Sequence, residues 1–337
     1  MSSSRVLLGL LFGAVVLVAL GLWADGRALM DSFRAFDLRY VAPVLGLTLL
    51  NYLIRFGKWH YYLGRLGHHP RPTDSALVFL SGLSMAATPG KLGELVKARL
   101  LAARSGVPAA DTASVVIAER LTDVLALVLI SAGGVVASGR GVFVLVSALV
   151  LIGGVVAVTA SDFLAGRIFG LLRRMPKLAG LVPKLESFRS ASLQLVRPGP
   201  LLVATVLSVL AWGCECVGYH LVLVALPDTS PSLPTAAFIY AFATVFGAVT
   251  FLPGGLLATE GSLIGLSGAV FGLAATREAA TAGALLIRFA TLWFGVLVGF
   301  CAWGVFARTT TTASPVGDAS HTPESATPIP AGTSRRE

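Results

Sequence analysis

Five runs of the chain carry no aspartate, glutamate, lysine or arginine: residues 6–23, 40–54, 141–161, 229–259 and 289–307. A helix that crosses the hydrocarbon of a bilayer needs about 20 mostly apolar residues. In lipid every backbone N–H and C=O must be bonded within the protein, so only helices and closed barrels can cross. A barrel would show short segments alternating apolar and polar side chains, and these runs do not alternate. The feature therefore points to an all-α, polytopic bundle of membrane helices. Composition agrees, since 13% of the 337 residues are charged against about 25% in soluble domains, and mean hydropathy is +0.81. The run 6–23 exceeds a signal-peptide core of about 7–15 residues and no small-residue cleavage site follows it, so it reads as a retained span.

Two more spans are expected at 40–62 and 111–138, and further ones at 141–160, 200–226 and 280–306. Residues 161–198 are different material. Arg167, Arg173, Arg174, Lys177, Lys184, Arg189 and Arg197 stand there against Asp162 and Glu186, with leucines and phenylalanines between them. This pattern suits a basic amphipathic connector at the cytoplasmic surface. The tail from 307 is rich in Thr, Ser, Pro and Ala, which predicts disorder. The domain plan is a first membrane repeat over 1–160, the connector over 161–198, a second repeat over 199–306, and the tail over 307–337.

Basic residues favour the cytoplasmic side, which places the connector and the loop with Lys58, Arg65 and Arg71 inside. Counting spans from there, 74–105 must leave and return on one side, and so must 236–275 from the other. The first is broken at Pro89-Gly90 and the second at Pro253-Gly254-Gly255. The expected topology has six full spans, two re-entrant hairpins and both termini in the cytoplasm, in a multi-pass protein of the plasma (inner) membrane. Two full spans in place of each hairpin would keep the same parity.

The broken segments align. "TPGKLGE" and "LPGGLLATE" place Pro89 against Pro253, an offset of 164, with Gly90 against Gly254 and a glutamate following in each, Glu94 and Glu260. Downstream, Arg120 stands against Arg288 at an offset of 168. Paired broken helices entering from opposite sides are the mark of an inverted repeat with a binding site at the midplane. The half-helix after Pro89 offers its positive end to an anion, Lys91 adds to that field, and Gly90 and Gly93 let the chain turn and neighbours approach.

Ionisable residues in membrane segments cost at least about 2.5–3.5 kcal/mol each at the bilayer centre and are functional candidates by default. "IAERLTD" sets Glu119, Arg120 and Asp123 on adjoining helix positions, either as a site or as an ion-pair knot that locks helices together. "NYLIRFGKWHYYL" spaces Arg55 and Lys58 along one helix. Its aromatics Trp59, Tyr61 and Tyr62 suit an interfacial belt. Lys97 follows Glu94 at i, i+3. Glu215 needs a partner, for which Arg288 is the nearest complement by depth. His68-His69 reads as a solvated loop pair. The net charge of +9 would suggest nucleic acid in a soluble chain, but here the basic residues lie mostly in loops, so no nucleic acid is expected. Nothing in the spacing of Cys or His suggests a disulfide, a metal or another cofactor, and no hydrolase, nucleotide-binding or protease motif is present.

At "TPGKLGELVKARLL", "ERLTDVLALV" and "FLPGGLLATEGSLIGL" the sequence resembles the lysylphosphatidylglycerol synthase transmembrane region, a flippase-like family, over about residues 6–306. The resemblance implies lipid handling. In two-domain relatives this module is associated with moving an aminoacylated phospholipid between leaflets beside a soluble synthase domain. Carried over by position, Pro89, Gly90, Lys91, Gly93, Glu94, Glu119, Arg120, Asp123, Pro253, Gly254, Gly255 and Glu260 match family motifs. Leu257 stands where a glycine often completes the second one.

The expectation is a lipid translocase rather than an enzyme. Its substrate is a phospholipid or lipid-linked molecule with a charged headgroup, bound among the residues above with Arg55, Lys58, Lys97, Glu215 and Arg288. A membrane enzyme or enzyme subunit acting on a lipid-linked sugar or polyprenyl phosphate stays open. So does a scaffold for a separate lipid synthase or glycosyltransferase, and so does a homodimer.

Overall fold

The computed structural model describes residues 26–88, 92–138, 146, 182–250 and 252–311. The expected spans at 6–23 and 141–160, most of the connector, the tail from 312, and Pro89, Gly90 and Lys91 lie outside the described residues. Within them the chain is helical, with one isolated bridge, Thr229 to Ala274. A short helix α1 (Gly26–Arg34) and a 3-10 turn (Leu38–Tyr40), capped by the Asp37 carboxylate on the N–H of Arg39, lead into α2 (Val41–Arg65). Then come α3 (Pro72–Leu83), a 3-10 turn (Leu92–Leu95), α4 (Val96–Ser105) and α5 (Ala109–Ser138). The second half holds α6 (Val182–Leu195), α7 (Pro198–Val224), α8 (Leu233–Val249) and α9 (Ala258–Gly265), which runs on into a π-helical turn (Leu266–Val270). It ends with α10 (Arg277–Arg288), a second π-helical turn (Phe289–Trp293) and α11 (Phe294–Thr311).

Local chemistry sets most of these boundaries. Proline opens α3, α7 and α8 at positions where the missing N–H costs nothing. Ser232 caps α8 and Thr276 caps α10 with side-chain oxygens. Gly106, at φ 69°, closes α4 in the left-handed conformation. Among the described residues, three helices are long and apolar enough to cross a membrane: Leu38–Arg65, Pro198–Val224 and Arg277–Thr309, the last running through the π turn. At 30 residues α5 is about 45 Å long, but it carries the charged cluster at its middle.

The molecule has two ends. At one, the Arg104 side chain bonds Asp74 at 2.8 Å and Thr309 at 3.2 Å, and Gln194 donates to the carbonyl of Arg65. At the other, Asp37 N–H donates to Ala225 O, Ser230 N–H to Leu273 O and Ala275 N–H to Asp228 O. These contacts fix the direction of α2, α7 and the α10–α11 unit between the ends. They also show that α3–α4 is a hairpin whose mouth is pinned at the Arg104 end. The pair α8–α9 is a hairpin whose mouth is stitched at the Asp228 end. Their arms of 12, 10, 17 and 8 residues reach about 12–26 Å, less than the roughly 30 Å of a bilayer core.

The second tip meets the first hairpin inside the bundle. Gly254, at φ +62°, lies so close to the first hairpin that a Cβ there would stand 3.3 Å from the Cα of Ala87. Gly299 of α11 packs directly on the backbone at Ser84, where a methyl would overlap the Ser84 nitrogen. Small residues let helix backbones close up in this way where no hydrophobic gradient drives them together. Two apolar cores flank the tips. One, toward the Arg104 end, holds Trp59, Tyr62, Phe79, Leu101, Leu195 and Phe306. The other, toward the Asp228 end, holds Phe36, Trp212, Tyr219, Leu223, Phe238 and Leu273.

Candidate functional site

Between those two cores lies a layer of buried charge. The i, i+4, i+7, i+11 spacing of Asn51, Arg55, Lys58 and Tyr62 puts all four on one face of α2, and all are buried. The middle of α5 contributes Glu119, Thr122 and Asp123, also buried, with Arg120 beside them. The return arm of the first hairpin adds Glu94 and Lys97, 2% and 1% exposed. From the second half come Ser208 and Glu215 on α7, Glu260 on α9 and Arg288 on α10.

Lys58 is the hub of the first cluster. Its ammonium donates to Asp123 at 2.6 Å, to Ser208 at 2.7 Å and to Thr122 at 3.3 Å. Asp123 also faces Arg120 at 3.2 Å and Arg55 at 3.8 Å. Lys97 bonds Glu119 at 2.9 Å and faces Glu94 at 3.6 Å, while Arg120 reaches Glu94 at 3.3 Å. The Lys97 ammonium lies 4.5 Å from the ring centre of Trp59 and 5.2 Å from that of Phe79, so aromatic faces replace part of its lost hydration. Four cations and three carboxylates make up the cluster. In their ordinary ionised forms one positive charge is left over.

A second, simpler cluster lies at the second tip. Arg288 donates through Nε to Glu260 Oε1 and through Nη2 to the carbonyl of Gly254, both at 2.6 Å. The tip exposes that carbonyl because Gly254 and Gly255 turn through positive φ, and Leu257 sits at φ +68° as well. Glu215 accepts from the Tyr240 hydroxyl at 2.6 Å. Each hairpin glutamate is thus held by the arginine that aligned with its counterpart in the sequence, Glu94 by Arg120 and Glu260 by Arg288.

The two clusters share one small cavity of about 50 Å³. Arg55 and Glu94 line it from the first half, and Glu215, Tyr240 and Arg288 from the second, with Tyr52 and Trp212 between them. By the usual requirement of about 10–15 Å³ per molecule it holds a few waters and nothing larger. Some polar capacity in the layer is unspent. Arg55 Nε, Glu119 Oε1 and Glu260 Oε2 are buried with no hydrogen-bond partner.

The structure joins Arg55, Lys58, Glu94, Lys97, Glu119, Arg120 and Asp123 in one network. It places Glu215, Gly254, Glu260 and Arg288 around the second tip, with Pro253 and Gly255 in the same turn. Gly93 lies in the 3-10 turn before α4. Three expectations are corrected. Trp59 and Tyr62 are fully buried rather than interfacial, because Trp59 donates to Ser75 across the first hairpin and packs under Lys97; Tyr61 alone is partly exposed. Arg288 turns to Glu260, and Glu215 takes the Tyr240 hydroxyl instead. His68 is no free loop residue, since its Nε2 lies 2.8 Å from Asp111 Oδ2. Sequence reasoning missed Ser208, Thr122 and Tyr240. A lone hydroxyl in an apolar helix is the only trace each leaves, and many such hydroxyls bond only their own helix.

Comparison with curated proteins gives no match. Comparison with family models matches residues 6–299 to the lysylphosphatidylglycerol synthase TM region. That match covers most of the chain and includes both tips and every member of the charged layer, so the chain belongs to the lysylphosphatidylglycerol synthase TM-region family and is a helical membrane protein with a lipid-related role.

Proposed function

We propose that the chain is a lipid translocase, in which the two hairpins are re-entrant and pass a charged headgroup between leaflets at their tips. The observation that carries this reading is the meeting of the second tip, at Gly254, with the first hairpin, at Ala87, beside a cavity lined by buried charges from both halves. A charged layer in the middle of a membrane bundle is costly unless it serves a polar path. Half-helices that end at midplane are the usual way to build such a path. Arg55 and Arg288, which line the cavity from the two halves, suit the phosphate common to phospholipid headgroups. Arg65, Arg71, Arg104, Arg197 and Arg308 gather toward the Arg104 end, which by the positive-inside rule is cytoplasmic.

A cavity of about 50 Å³ is too small for a headgroup. The arrangement is therefore closed, and passage requires the tips to part. Glu94 is the residue best placed to govern that step, because it ties the first hairpin to Arg120 of α5. No ATP-binding motif is present in the sequence, so movement is passive or coupled to an ion.

The test is leaflet exchange in liposomes. Purified protein is reconstituted with fluorescent anionic, zwitterionic and cationic lipids, and dithionite quenching follows the outer-leaflet fraction. Wild type should speed exchange of at least one lipid class, and Glu94→Gln should slow that exchange at least about tenfold. Exchange no faster than in protein-free liposomes for every lipid would overturn the reading and turn attention to an enzyme or a synthase subunit.

A further inference from the structure

The two charged clusters balance each other. The first has one cation more than its carboxylates. The second has one carboxylate more, Glu260 and Glu215 against Arg288. Among the described residues the layer therefore holds five cations and five carboxylates, and it is neutral when all are ionised. The balance is struck across the cavity. Of the first cluster's cations Arg55 lines it, 3.8 Å from Asp123, and Glu215 lines it from the second half.

A phospholipid phosphate upsets this balance. It brings one negative charge, and the donors that suit it are Arg55 and Arg288 on the cavity wall. One carboxylate then loses its counter-charge in the middle of a membrane bundle. A charge so placed is costly enough that the group takes up a proton instead. Glu260 faces Arg288 at 2.6 Å, Asp123 faces Lys58 at 2.6 Å, Glu119 faces Lys97 at 2.9 Å and Glu94 faces Arg120 at 3.3 Å. Protonating any of these breaks an ion pair inside the layer. Glu215 accepts from the neutral hydroxyl of Tyr240 at 2.6 Å. A hydroxyl can also donate to the carbonyl oxygen of a neutral carboxyl, so Glu215 gains a proton without giving up this bond.

The groups that face Glu215 leave the titration to it. Tyr240 of α8, Tyr52 and Arg55 of α2, Arg288 of α10 and Glu94 of the first hairpin share the cavity wall with it. Asp123 of α5 stands behind Arg55, and Cys214 and Cys216 flank Glu215 on α7. Phenols and thiols are neutral and arginines charged near pH 7, and Glu94 is engaged with Arg120 and Lys97. The cavity of about 50 Å³ has room for a few waters, a short relay for a proton.

We infer that Glu215 is a proton-binding site, loaded when an anionic headgroup enters the cavity, so that one proton crosses with each anionic lipid. The proton comes to the Glu215 carboxylate from water on the side the lipid leaves and goes to water on the side it reaches. One lipid anion and one proton cross together, and no net charge moves. The inference rests on the translocase reading and supplies its coupling ion.

The experiment uses the full-length protein in liposomes with a short-chain fluorescent phosphatidylglycerol, which albumin extracts from the outer leaflet. Valinomycin and potassium hold the membrane potential at zero. With the interior about one pH unit more alkaline, wild type should concentrate the lipid in the inner leaflet toward the roughly tenfold limit set by one proton per lipid. Reversing the gradient should reverse the accumulation, and protein-free liposomes over the same minutes set the baseline. Glu215→Gln, a permanent mimic of the neutral carboxyl, should accumulate lipid in neither gradient while still exchanging it faster than protein-free liposomes. Glu215→Asp, which keeps a titrating carboxyl, should restore the accumulation. Should Glu215→Gln fail to fold or to exchange, wild type alone gives the second reading. Trapped pyranine should then report about one proton per lipid as lipid runs down its own gradient at equal pH. Fast exchange by wild type with equal leaflets in both gradients would overturn the proton site and leave the translocase standing. So would undiminished accumulation by Glu215→Gln. Exchange by wild type no faster than in protein-free liposomes would overturn both.

Discussion

The two hairpins solve the same problem differently. The glutamate of the second, Glu260, has one strong partner, Arg288 at 2.6 Å, and that arginine also fastens the tip carbonyl of Gly254. The glutamate of the first, Glu94, stands in a network, 3.6 Å from Lys97 and 3.3 Å from Arg120, and those cations also face Glu119 and Asp123. A short bidentate clamp holds one geometry. A network spreads the same task over several side chains, so the loss of one leaves the others partly paired. The comparison teaches that one sequence pattern can be held in two ways, by a two-point arginine clamp at the second tip and by a many-membered charge network at the first.

The comparison breaks most plainly at Arg288. Arg288→Ala leaves the Glu260 carboxylate and the Gly254 carbonyl buried without their donor. Removing one partner of such a pair costs about 3–5 kcal/mol, seen as a large drop in melting temperature in detergent. The double variant Arg288→Met, Glu260→Leu should regain at least half of that loss. No recovery would show that the Gly254 carbonyl, not the charge pair, holds the tip.

Lys58→Met is the matching cut in the first half and should cost less, about 2–3 kcal/mol, because Asp123 keeps Arg120 and Arg55. A loss as large as that of Arg288→Ala would mean that the first network is no looser than the second clamp. Glu94→Gln sharpens the contrast, with a stability loss of only about 1–2 kcal/mol alongside its loss of lipid exchange. Equal damage to melting and exchange would reduce Glu94 to a structural role.

Smaller effects come from the second tip's backbone. Leu257 is 45% exposed and holds φ 68°, ψ −49°, a conformation that costs a non-glycine residue about 1–3 kcal/mol. Leu257→Gly relieves that strain while adding unfolded-state entropy, so melting should hold steady or rise by the equivalent of about 1 kcal/mol. A clear fall would show that the leucine packs against lipid or a partner. Least affected should be the Asp37 cap outside the bundle. Its hydrogen bond with Arg39 holds the carboxyl below its ordinary range. A carboxyl depressed on folding stabilises above its unfolded pKa, and that stabilisation fades as pH falls through the folded value. Asp37 and Arg39 are both solvent-accessible, so Asp37→Asn should leave melting and exchange unchanged at pH 7 and show any difference only in acid.

The sequence alone determined the helical membrane class and, among the described residues, the positions of the long helices. The expected spans 40–62 and 111–138 stand at Val41–Arg65 and Ala109–Ser138, because uncharged length and proline punctuation are local properties. It also named every charged member of the buried layer, since a charge within an apolar run is conspicuous wherever the run goes. Only the tertiary structure decided who pairs with whom. Lys58 finds Asp123 across 65 residues and Ser208 across 150, and no spacing rule distinguishes Asp123 from Glu119 or Glu94 as its partner. The aromatics of α2 show the same limit. Trp59 and Tyr62 repeat at helical spacing whether they face headgroups or a core, and packing against the first hairpin put them in the core. The two π turns leave no mark in composition. The second π turn lies between Arg288, which holds Glu260, and Gly299, which packs on the first hairpin, and those two contacts exist only once the two halves are assembled.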